Sequence, residues 1–82
     1  MRVVVSVMPK REILDPQSRA VGAMLERLGF RGIANLRQGK RIVVELEGVS
    51  DAAAARAAAE KMCAELLVNP LIEEYAIEVE GE

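Results

Sequence analysis

Eighty-two residues with 51% apolar and 29% charged content describe one small globular domain spanning residues 1–82, without the run of roughly 20 apolar residues that a membrane span needs. No signal peptide is expected, because Arg2 is followed at once by a short strand-like run, and the single cysteine allows no internal disulfide, which fits a reducing, cytoplasmic setting. The net charge of −2 hides an asymmetry: residues 1–41 carry +6 and residues 42–82 carry −8, so the folded chain should present charged faces of opposite sign.

The chain opens with Arg2-Val3-Val4-Val5-Ser6-Val7-Met8, stopped by Pro9. Its β-branched residues predict a strand, and apolar residues on both of its sides predict a central one. Lys10 to Leu14 connect it to a helix. Asp15 suits the N-cap, where its carboxylate can accept a first-turn N–H, and Pro16 suits the first helical position, where its missing N–H costs nothing. Val21, Met24, Leu25 and Leu28 then recur at helical spacing, so one stripe is expected to face a core. Gly29 ends the run, with Phe30 placed to pack back on Leu25 in a Schellman-type stop.

Beyond that stop, Ile33 to Arg37 read as a weaker strand and Gln38-Gly39-Lys40 as a turn. Arg41 to Glu47 read as a strong strand with Ile42, Val44 and Leu46 on the core side, and the two strands are expected to form a hairpin. Ser50 or Asp51 can cap a second helix built on the Ala-rich run from Ala52. Ala55, Ala59, Met62, Cys63, Leu66 and Leu67 mark its buried stripe. Asn69-Pro70 stops it, since the residue before proline is pushed out of the helical region. A last strand, Leu71 to Glu80, alternates Tyr75, Ile77 and Val79 with Glu74, Ala76, Glu78 and Glu80.

The order β-α-β-β-α-β predicts an α+β, ferredoxin-like domain: a four-stranded antiparallel sheet with both helices on one face. The other face would be bare, offering Val4, Met8, Val43 and Ala76 among glutamates. Such a surface suits contact with a second copy, and a chain this small gains stability from association.

Chemical machinery is sparse. Without histidine there is no Ser-His or Cys-His nucleophile pair and no imidazole metal site. Cys63 lies on an apolar stripe, where a free cysteine is ordinarily a small hydrophobe. No Gly-rich phosphate loop is present. Glu73 and Glu74 are adjacent on a strand and point apart, so they cannot work as a carboxylate pair. Lys10, Arg11, Arg37, Lys40 and Arg41 fall at turns and strand ends and are read as solvated. RNA-recognition modules share this topology but stack bases on sheet aromatics, whereas Phe30 and Tyr75 are the only aromatics here and the pI is about 5.2, so no nucleic-acid partner is expected.

Three local motifs go further. Leu14-Asp15-Pro16-Gln17, then Leu36-Arg37-Gln38-Gly39-Lys40 before a strand, then Leu66 to Tyr75 with Asn69-Pro70 at its centre, closely resemble the PurS family. These are small subunits of formylglycinamidine ribonucleotide synthase. The resemblance spans the whole chain. Ser18 stands where the family usually has glycine, and Glu74 where aspartate is common. The resemblance implies a non-catalytic subunit of an ATP-dependent C–N ligase of purine biosynthesis, with glutamine as amide donor. Its partners would be a glutaminase subunit and a large synthetase subunit that uses ATP and Mg; no cofactor is expected on this chain. It also implies a homodimer or tetramer. Asp15, Pro16, Gln17 and Arg19, with Gly39, Lys40, Arg41, Asn69 and Pro70, are the residues expected to meet a partner subunit. Val4, Met8, Val43 and Ala76 are expected to meet another copy. The alternative is an ACT-like regulatory module of the same topology, binding an amino acid near the first strand-to-helix loop.

Overall fold

The valine-rich opening run forms the middle of the sheet. In this computed structural model, which describes residues 1–80, β1 (Arg2–Pro9) lies between β2 (Lys40–Glu45) and β3 (Glu73–Glu80), antiparallel to both. Val3 sits opposite Val44 and Val79, and Val5 opposite Ile42 and Ile77. Strand side chains alternate between faces, so Val3, Val5 and Val7 share one face with those residues and with Tyr75. Val4, Ser6 and Met8 share the other with Arg41, Val43, Glu74, Ala76 and Glu78.

One helix covers the first face. Asp51 caps α2 (Ala52–Met62) by accepting the Ala53 N–H at 3.3 Å. Ala55, Ala59 and Cys63 are at most 1% exposed and pack with Val3, Val5, Val7 and Val68 as the core. Their small side chains let the helix axis lie close to the sheet. The next turn, Cys63–Leu67, is π-helical, closed by Val68 N–H donating to the Cys63 carbonyl at 3.2 Å. This wider turn breaks the 3.6-residue phase. Leu66, expected on the buried stripe, is therefore 83% exposed, and Val68 enters the core in its place.

The first helix begins and ends as its sequence dictates. Asp15 accepts the Gln17 N–H at 3.1 Å, Pro16 opens α1 (Pro16–Arg27), and Gly29 takes φ 102°. Phe30 N–H donates to the Leu25 carbonyl and Gly29 N–H to the Glu26 carbonyl, both at 3.1 Å, which is the Schellman pattern. Its position departs from expectation. α1 packs against none of the strands and not against α2. Met24 and Leu28 are mostly exposed, as is Phe30, which does not bury itself on Leu25.

The expected strand at residues 33–37 is also absent, so among the described residues the sheet has three strands rather than four, and the expected hairpin around Gly39 does not form. A ladder needs the segment about 4.8 Å from the outer edge of β2. Instead Ile33, Ala34 and Leu36 run beside Gly22 and Ala23 of α1. Residues 10–39 therefore form an arm: a helix and an irregular return segment, leaving the sheet at Pro9 and rejoining it at Lys40. The Cα radius of gyration is 16.2 Å and the long dimension 49 Å, against about 12 Å for the radius of a compact chain of this length. The last strand begins at Glu73 rather than Leu71, because Ile72 and Glu73 N–H groups both turn back to the Asn69 carbonyl.

Candidate subunit-contact cleft

The root of the arm is held by a few specific bonds. The Ser18 hydroxyl donates to Asp15 Oδ2 at 2.8 Å and accepts the Gln38 N–H at 3.2 Å, with Ser18 only 3% exposed. This serine thus ties the helix start to the returning segment. The Arg37 guanidinium donates to the Pro9 carbonyl at 2.8 Å and lies 3.8 Å from the Glu74 carboxylate. Lys10 N–H donates to the Ile72 carbonyl at 2.8 Å. Gly39 has no room for a side chain, since a Cβ there would run into the Val7 carbonyl oxygen and the Met8 thioether. That close passage lets the return segment cross the end of β1.

Between these ties lies an open cleft of about 380 Å³. Leu14, Asp15, Pro16 and Gln17 form one wall, Gln38, Gly39 and Lys40 another, and Ile72 and Glu73 a third. Behind the third wall the Asn69-Pro70 corner is stiffened from both sides. Asn69 N–H donates to Glu73 Oε1 at 2.8 Å, and Asn69 Oδ1 accepts the Leu71 N–H at 3.1 Å.

Five of the residues expected at a partner contact therefore meet: Asp15, Pro16, Gln17, Gly39 and Lys40 line one cleft. The other four do not line it. Arg19 faces the groove between α1 and its return segment. Arg41 sits opposite Ser6 on the sheet face away from α2. Asn69 and Pro70 shape the corner next to the cleft. On that far sheet face, Val43 is 42% exposed and Ala76 is exposed, Met8 is half-buried, and Val4 is already buried within its own chain.

Ser18, Leu14 and Glu73 went unremarked in the sequence as parts of this site. The signal for Ser18 was available: a hydroxyl three residues after an aspartate N-cap sits where the reciprocal partner of a capping box belongs. Leu14, 77% exposed, and Ile72, 42% exposed, form an apolar lip that only the meeting of two distant loops creates.

The cleft is lined by apolar, amide and charged side chains. Among the described residues no three Asp, Glu or Cys side chains converge. The single thiol is remote, in the core, where burial and the nearby Glu60 carboxylate push its pKa up. Among the described residues no helix is long and apolar enough to cross a membrane.

Comparison with known proteins gives the chain its relatives. The family model described as PurS, phosphoribosylformylglycinamidine (FGAM) synthase, matches residues 2–81. The PurS subunit of that synthase from Mycobacterium leprae is 42% identical over 81 residues, covering 99% of this chain and 98% of the relative. The crystal structure of Methanocaldococcus jannaschii PurS superposes with a TM-score of 0.87 at 30% identity, covering 99% of this chain and 96% of that one. A chain in the structure of PurLQS from Thermotoga maritima matches with a TM-score of 0.84 at 30% identity, covering 94% and 93%.

Proposed function

The chain belongs to the PurS family, and from that premise we propose that it serves as the small, non-catalytic subunit of phosphoribosylformylglycinamidine synthase in purine biosynthesis, bridging a glutaminase and an ATP-dependent synthetase in the cytoplasm. In this reading the glutaminase releases ammonia from glutamine. The synthetase uses ATP and Mg to activate the amide oxygen of formylglycinamide ribonucleotide, then adds the ammonia, giving formylglycinamidine ribonucleotide, ADP and phosphate, while glutamate leaves from the glutaminase. Ammonia that escapes to water is diluted and mostly protonated, losing the lone pair that attacks carbon. A subunit that fixes the two centres in register and shelters the route between them removes that loss.

The observation that carries the reading is the likeness, over 94% of the chain, to a chain of PurLQS. The cleft supplies a matching surface. Gln17 and Lys40 line it with no side-chain hydrogen bond to another described residue, so both are available to a partner. Homo-oligomer contact, as a dimer or tetramer, accompanies this role; the sheet face bearing Met8, Val43 and Ala76 is one surface for it. Family membership leaves the amino-acid-binding alternative without support.

Reconstitution tests the proposal. Glutamine-driven synthesis by the glutaminase and synthetase should require this chain, and synthesis fed with ammonium salt should require it less. Full glutamine-fed activity of the other two subunits alone would overturn the role. Gln17→Ala should weaken assembly while leaving the melting temperature of the isolated chain unchanged, because Gln17 has no capping duty.

A further inference from the structure

The three walls of the cleft come from stretches far apart in the chain, and the side chains that join them do not line it. Ser18 joins the helix start to the return segment through the Gln38 N–H. Arg37 joins the return segment to the sheet. Its guanidinium donates to the carbonyl of Pro9, the last residue of β1, at 2.8 Å. It also stands 3.8 Å from the carboxylate of Glu74, the second residue of β3. Pro9 pairs with Glu73 across the ladder, so one planar group spans the ends of both strands. Of the six Lys and Arg side chains on the arm, only Arg37 is fixed by a hydrogen bond or an ion pair among the described residues.

We propose that Arg37 is the positioning residue of the cleft. By holding the Pro9 carbonyl and the Glu74 carboxylate together, it sets the gap between the Gln38–Lys40 wall and the Ile72–Glu73 wall, and so the register in which a larger subunit docks there. The proposal rests on the bridging role inferred above and names the side chain that gives the bridge its geometry.

The other ties of the return segment act elsewhere. The Ser18 bond holds Gln38 to the helix start, and Gly39 passes against Val7 and Met8 of β1. Among the described residues Arg37 makes the only polar link between this segment and β3. Glu74 is 57% exposed, so the ion pair adds little to global stability. What the guanidinium supplies is direction. Its N–H groups lie in one plane on a rigid fork, whereas a lysine ammonium is a point charge on a flexible stem. A cleft wall displaced by about 1 Å puts the two catalytic centres out of register, and misplacement on that scale costs as much as about a hundredfold in rate. Ammonia supplied from solvent reaches the synthetase without the bridge, so the loss falls on the glutamine-fed reaction.

The test compares two feeds in the complex reconstituted from this chain, a glutaminase and a synthetase. Arg37→Ala should lower glutamine-fed synthesis by about tenfold or more and change ammonium-fed synthesis by less than about twofold. Arg37→Lys, which keeps a donor for the Pro9 carbonyl, should fall between. Ethylguanidinium at millimolar concentration should restore part of the Arg37→Ala loss. Lys61→Ala, which removes the same charge from the exposed side of α2, should leave both feeds unchanged. In the isolated chain, Arg37→Ala should keep a melting temperature within about 4 °C of wild type. Exchange of its Gln38 amide should quicken while the β1 amides stay protected. Equal losses on both feeds, or undiminished glutamine-fed synthesis, overturn the proposal. Should Arg37→Ala fold poorly, Arg37→Lys carries the same comparison: a wild-type ratio of the two feeds overturns the proposal, and a lowered ratio supports it. Glutamine-fed synthesis that needs no copy of this chain overturns the bridging reading itself. A chain that is required but indifferent to position 37 overturns the positioning role alone.

Discussion

β1 and α1 are each marked by their sequence as elements with an apolar side, yet they end in different surroundings. The four valines of β1 are at most 2% exposed, while Met24 and Leu28 of α1 stand more than half exposed. β1 is central because two strands and α2 all fall within reach of it. Among the described residues α1 packs against neither the strands nor α2. Periodicity therefore states that a face will be buried, and leaves open whether the burying surface comes from the same molecule.

Substitutions should separate body from arm. Val5→Ala removes two methyl groups from a fully buried site and should lower global stability by about 2–3 kcal/mol, read from denaturant unfolding of the whole chain. Gly39→Ala should cost about 2 kcal/mol by forcing the return segment off the end of β1. It should also reduce assembly with the larger subunits, since the cleft wall moves. Asp15→Ala should cost about 1 kcal/mol and should do so locally. It strips the helix start of its cap and leaves the buried Ser18 hydroxyl without its acceptor. Hydrogen exchange should quicken through residues 16–27 while β1 amides stay protected. If β1 loosens equally, body and arm form one cooperative unit.

The gentlest probe is pH. Burial raises the Cys63 thiol pKa above its ordinary value. Above about pH 8.5, the ordinary thiol pKa, the unfolded chain loses this proton while the folded chain keeps it, so stability falls as pH rises. Below that range both states are protonated and the contribution is flat. Cys63→Ala should remove this alkaline slope from the unfolding curves of the body.

Much of the fold is legible residue by residue. The Asp15-Pro16 start, the Gly29 stop, the Asp51 cap and the alternation in the last strand are local, and local rules suffice for them. The cleft was half legible: Asp15-Pro16-Gln17 and Gly39-Lys40 stand out as motifs, but their meeting depends on Gly39 passing the end of β1. The fourth strand failed for a different reason. Ile33 to Arg37 have strand composition, and no local rule says whether the free edge of β2 belongs to their own chain. Leu66 failed because a π turn is invisible to a count of 3.6.

The arm has a mechanical consequence. A helix of twelve residues is about 18 Å long, so a pivot of about 10° at its root swings the far end by about 3 Å, roughly the rise of one strand residue. The Ser18–Gln38 bond and the Arg37–Pro9 bond sit at that pivot, on the rim of the cleft. A lever fixed there turns a small adjustment at the cleft into a displacement of about 3 Å at the Gly29 end of α1, some two nanometres away.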